Sequence, residues 1–101
     1  MKKEDLTAVS EKEALYNECL SAVKALSAAL DDFEGAPEKL KALAAYYESP
    51  EWRRHFELDE RGAFPKDMPR GVLSEDGVYD LLDDARELNK RLRALAGKMR
   101  K

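Results

Sequence analysis

Arg70 stands between Pro69 and Gly71, shortly before a Ser74-Glu75-Asp76 run that reads as the start of a helix. A guanidinium held beside free helix N–H groups is suited to receiving a phosphate or a carboxylate. Arg70, Ser74, Glu75 and Asp76 are therefore the candidate ligand-binding residues. The simpler use of Arg70, and the favoured one, is a bridge to an acid of the same fold, such as Asp59, Glu60 or Asp76. Gly71 is expected to supply a positive φ or a close backbone approach.

Tyr46, Tyr47, Trp52, Phe56 and Phe64 form a dense aromatic group for a chain of 101 residues. Trp and Tyr are typical anchors at protein interfaces, which makes these five the candidate interaction residues. A chain this short has few other large side chains to bury. The favoured role for the group is thus a small core that seats the loop beside it.

Other chemistries find little support. His55 lies in Arg53-Arg54-His55-Phe56 with no second His or Cys nearby, so it reads as structural. A single His and a single Cys exclude the usual four-ligand zinc sites. The acids are plentiful, but no Asp-x-Asp-x-Asp-Gly calcium loop exists, and no metal site is assigned. Gly-rich phosphate loops, a nucleophile-elbow Ser and His-Glu-x-x-His are all missing. No catalytic residue and no cofactor is expected.

These residues must be positioned by helices. The chain contains no Ile, and its β-branched residues are four Val and Thr7. Ala, Leu, Glu, Lys and Arg dominate, and all favour helix. A stripe of Val9, Tyr16, Cys19, Leu20, Val23, Leu26, Leu30 and Phe33 predicts a long helix near 10–33. Ser10 and Glu13 have capping-box spacing, with Asp5 or Thr7 as earlier alternative starts. Gly35 and Pro37 stop it, and Pro37, lacking the N–H that would go unpaired there, suits the first turn of a second helix near 38–48. Ser49-Pro50-Glu51 then supplies an N-cap, a Pro at N1 and an acid in the first turn of a helix near 50–60.

Residues 61–74 have no helical or strand period. Phe64, Met68, Val72 and Leu73 are nevertheless too apolar for a solvated linker, so the segment is expected to be an ordered loop pinned by those side chains. The last helix, near 75–97, carries Val78, Leu81, Leu82, Ala85, Leu88, Leu92, Leu95 and Met99, with Gly77 weakening its start slightly. The expected architecture is all-α: one domain over residues 1–101. Two long antiparallel helices would carry two short helices and the ordered Pro/Gly loop packed across them.

Charge is unevenly placed on a chain of net charge −3. Residues 86–101 hold seven Lys or Arg against Glu87 alone, a net +6. In an antiparallel pair that tail would meet Glu4, Asp5, Glu11 and Glu13. The other end would gather Asp31, Asp32 and Glu34 with Glu75, Asp76, Asp80, Asp83 and Asp84. Arg53, Arg54, Arg61, Lys66 and Arg70 are the expected counter-charges there. The tail has no aromatic residue beyond Tyr79 to stack on bases, so nucleic-acid binding is not expected.

From Tyr46 to Leu82 the motifs are more specific: Tyr46-Tyr47-Glu48-Ser49, Glu51-Trp52, Phe56, Asp59-Glu60, Gly62, Pro65, Arg70-Gly71-Val72-Leu73-Ser74-Glu75-Asp76 and Tyr79-Asp80-Leu81-Leu82. This pattern resembles a family of small uncharacterised bacterial proteins, domain-of-unknown-function family 4298. Met68 stands where that pattern would have Leu, and the basic tail is not part of it. The resemblance implies a bacterial, cytoplasmic, helical protein and carries no activity.

Membrane association is not expected. No apolar run approaches the ~20 residues of a membrane span, and Met1-Lys2-Lys3-Glu4-Asp5 leads into no signal-peptide stretch. One Cys fits a reducing cytoplasm. The leading expectation is a non-enzymatic interaction or scaffolding module with a protein partner. A bare helical hairpin would leave half of each stripe wet, so the middle segment must cover it or, as a homodimer, a second chain must. The alternative is a small protein binding an anionic ligand or a divalent metal at residues 70–80.

Overall fold

A computed structural model describes residues 1–100 of the chain. Lys101, counted in the basic tail, lies outside the described residues. Four α-helices and one 3₁₀ turn make up the regular structure, with no strand among the described residues. The fold is all-α. Among the described residues no helix is long and apolar enough to cross a membrane. The chain divides into two compact units, Met1–Pro37 and Glu38–Lys101.

The first unit is α1 (Lys3–Phe33). It begins several residues before the Ser10 start. Glu4 and Asp5 sit in its first turn, where carboxylates interact favourably with the helix dipole. Thr7 Oγ1 donates to the Lys3 carbonyl at 3.2 Å, and Glu13 accepts from Asn17 Nδ2 at 3.2 Å. The Ser10–Glu13 pair is thus interior and caps nothing. No α1 residue is buried, and Val9, Tyr16 and Val23 are each at least 60% exposed. Every residue of its apolar stripe from Val9 to Phe33 is exposed.

The second unit carries α2 (Ala36–Tyr47) from Glu38 onward, α3 (Pro50–Glu60) and α4 (Glu75–Met99). Ser49 caps α3: its Oγ accepts from the Trp52 N–H at 3.2 Å and donates to the Tyr46 carbonyl at 2.6 Å. One hydroxyl therefore ends α2 and starts α3. Gly62, at φ +73°, terminates α3. Its N–H reaches the Asp59 carbonyl at 3.0 Å while the Ala63 N–H reaches Leu58 at 3.0 Å. This is the Schellman arrangement, which needs a left-handed residue at that point.

The loop is ordered as expected, but it holds a regular piece. Gly71–Leu73 forms a 3₁₀ turn, closed by the Leu73 N–H on the Arg70 carbonyl at 2.9 Å and the Ser74 N–H on Gly71 at 3.1 Å. This turn packs against α3 and α4. The core of the unit is small: Trp52, Leu73 and Val78 are its buried apolar residues. Burying each such side chain contributes ~1.5–3 kcal/mol. Of the four expected pins, Leu73 is buried and Phe64 half-buried, while Met68 and Val72 remain exposed. Val72 contributes its carbonyl instead.

Candidate functional site

The site is built outward from the Ser49 cap. That cap fixes the first turn of α3 and so the direction in which Trp52 leaves it. The indole Nε1–H donates to the Val72 carbonyl at 2.9 Å, which ties α3 to the 3₁₀ turn. One turn further on, the Phe56 ring stacks on the indole, with centroids 5.2 Å apart and planes 18° from parallel. Tyr47, the last residue of α2, meets the indole edge-on at 4.9 Å. Its hydroxyl donates to the Glu75 carbonyl at 3.1 Å, joining α2 to the start of α4. Three aromatic side chains thus hold three helices in one arrangement.

Their outer surface lines a cleft of about 370 Å³. Tyr47, Trp52 and Phe56 form its wall, and Arg53, Asp76 and Tyr79 its rim. An adjoining hollow of about 590 Å³ shares Tyr47, Trp52 and Arg53 and continues over Glu48 to Pro50. The rim residues are all exposed. Aromatic rings and charges of both signs meet on this lining, the pairing of anchors with a polar edge that protein-docking surfaces use.

A second hollow of about 210 Å³ opens elsewhere on the unit, with Tyr46, His55, Phe64, Met68 and Val72 among its lining. The Tyr46 hydroxyl and His55 Nδ1 lie 2.7 Å apart, and the two rings are tilted at 42°. Burial raises the Tyr46 pKa above its ordinary value; Glu51 adds to this, and Arg54 opposes it.

The sequence candidates therefore separate by chemistry. Tyr47, Trp52 and Phe56 share one cleft with Glu75 and Asp76, whereas Tyr46 and Phe64 line the other hollow beside Arg70. Arg70 is occupied. Its Nη1 donates to the Pro65 and Met68 carbonyls at 2.7 and 3.0 Å, and its buried Nε lies 2.6 Å from Asp59 Oδ1, close but poorly aligned for a hydrogen bond. The guanidinium gathers the 65–70 loop onto α3. It does not neutralise the acidic helix ends, and Arg53, Arg54, Arg61 and Lys66, also expected there, form no ion pair among the described residues.

Ser74 is likewise engaged, capping α4 by accepting from the Gly77 N–H at 3.0 Å and donating to the Gly71 carbonyl at 3.0 Å. Gly71 does not meet the expectation placed on it: its φ is not positive, and a Cβ there would touch nothing. Gly77 is the glycine that matters, because a Cβ on it would lie 2.9 Å from the Gly71 carbonyl and closer still to Ser74 Oγ. Arg53 and Tyr79 are the site residues sequence reasoning missed. Tyr79 falls one turn after Glu75 and so shares its helix face, a signal that was available. No group of three or more potential metal ligands occurs among the described residues.

A family model, Domain of unknown function (DUF4298), matches residues 9–95. The chain belongs to the DUF4298 family. The match spans α1 from Val9 and all of the second unit up to Leu95, so the cleft lies within the DUF4298 region. No curated protein and no solved structure matches the chain.

Proposed function

We propose that this DUF4298 chain is a non-enzymatic interaction module of the bacterial cytoplasm, docking a protein partner in the cleft walled by Tyr47, Trp52 and Phe56. The carrying observation is that the wall is held by hydrogen bonds at its back, Tyr47 to Glu75 and Trp52 to Val72, while its front stays open. A surface fixed before binding avoids much of the ordering cost of association. The bacterial and cytoplasmic setting is supported by the family resemblance and by a free, exposed Cys19. The engagement of Arg70 and Ser74 within the fold favours docking over capture of a small anion.

The test is affinity capture from a bacterial lysate with the wild-type chain, Tyr79→Ser and Arg53→Ala. Both variants alter the rim and leave the supporting hydrogen bonds intact. A partner retained by wild type and lost from both is expected. Equal retention by all three, or substrate turnover by the purified chain that a rim variant abolishes, would contradict the proposal.

A further inference from the structure

The strongest unpartnered feature outside the cleft is one face of α4. Leu81, Ala85, Leu88, Leu92, Leu95 and Met99 recur at alternating four- and three-residue steps, the seam of a coiled coil. At ~100° per residue this seam points well away from Tyr79 and Glu75, which face the cleft. Leu81, Leu88, Leu92, Leu95 and Met99 are all exposed, between 38% and 75%. The helix thus spends one side on its own unit and leaves a second apolar side bare.

Charge says what fits there. From Glu75 to Asp84 the helix carries five acids and no base; from Arg86 to Met99 it carries five bases and one acid, Glu87, with Arg100 as its C-cap. On the outer side, away from the seam, charges are paired within the helix: Arg86 with Asp83 at 3.7 Å and Lys90 with Glu87 at 3.2 Å. Beside the seam, Asp80 and Asp84 precede Arg91 and Lys98 on one flank, and none of these four forms an ion pair among the described residues. A parallel copy would set acids against acids and bases against bases. An antiparallel copy reverses this.

We propose that α4 is a self-association surface, pairing antiparallel with α4 of a second copy of this chain about a two-fold axis near Glu87. Leu88 of one copy then packs at the level of Ala85 of the other, and Leu92 at the level of Leu81. Asp84 faces Arg91 across the flank, twice over by symmetry. Asp80 lies within reach of Arg91 and Lys98. The surface is separate from the cleft, so each copy in the dimer keeps its cleft open.

Sedimentation analysis at tens of micromolar tests this, with helix content checked by circular dichroism. The wild type is expected at twice its 11.5 kDa chain mass. Asp84→Arg and Arg91→Asp, each alone, place like charges together and weaken the dimer by roughly tenfold or more. Mixing the two variants restores opposite charges at both flanks, so a mixed dimer re-forms at near wild-type affinity. Leu92→Glu removes the dimer without relying on the flank charges. A monomeric wild type would overturn the proposal, the face being then bare or covered from within the chain. So would a dimer that both charge reversals leave unchanged, or variants whose mixture shows no gain over either alone.

Discussion

Trp52 and Val72, twenty residues apart, are joined by a 2.9 Å hydrogen bond from the indole N–H to the backbone carbonyl. This bond and the burial of the ring place the 3₁₀ turn over α3 and deliver Ser74 to the start of α4. Trp52→Ala is expected to destabilise the second unit by ~3–5 kcal/mol through lost burial and a cavity. Trp52→Phe keeps much of the apolar volume but unpairs the Val72 carbonyl, at about 1–3 kcal/mol. Chemical denaturation followed by circular dichroism separates the two.

Two glycines six residues apart should respond in opposite ways to alanine. Gly71→Ala meets open space and restricts the unfolded chain, so a gain of ~0.4–1 kcal/mol is expected. Gly77→Ala would normally favour a helix by about 1 kcal/mol. Here its methyl group collides with the Gly71 carbonyl and the Ser74 cap, so the variant is expected to melt below wild type. Ser74→Ala, losing the cap alone, should cost ~1 kcal/mol.

Arg70 is a staple for the loop. Arg70→Ala removes two carbonyl hydrogen bonds and the Asp59 pair together, and should make residues 65–70 an early site of protease cleavage. Arg70→Lys should rescue only partly, because an ammonium lacks the planar fork that reaches all three acceptors. Since the guanidinium is engaged, inorganic phosphate, nucleotides and divalent ions are expected to leave the wild-type melting temperature unchanged. A ligand bound by the native state alone would raise it.

Tyr46 makes stability depend on alkaline pH. Its neutral form is favoured in the fold, so the unfolded state loses the phenolic proton first, near pH 10. The folded state then holds more protons, and stability falls as pH rises beyond that point. Melting temperatures across that range should drop more steeply for wild type than for Tyr46→Phe, which has no phenolic proton to lose.

The helices and their start signals were legible because caps and periodicity are local. Ser49-Pro50-Glu51 marks the beginning of α3 within one turn of chain, whatever else surrounds it. The Ser10–Glu13 spacing misled for the same reason: the Glu4 and Asp5 carboxylates, also local, favour an earlier start. Long-range partners were not legible. Nothing in Val72 announces that its carbonyl will receive the indole, and nothing in Gly77 announces the Gly71 carbonyl beside it. The aromatic group could be named from composition, but its division between two hollows depends on which way each ring leaves its helix.

Amide and indole hydrogen exchange is the most direct measure of whether the 3₁₀ turn is seated by Trp52. The N–H groups of Leu73 and Ser74 and the Trp52 indole N–H are expected to exchange slowly, at rates close to those of the α3 amides. Fast exchange at these three positions, with α3 and α4 still protected, would show the segment to be a loose tether and leave the cleft without its support.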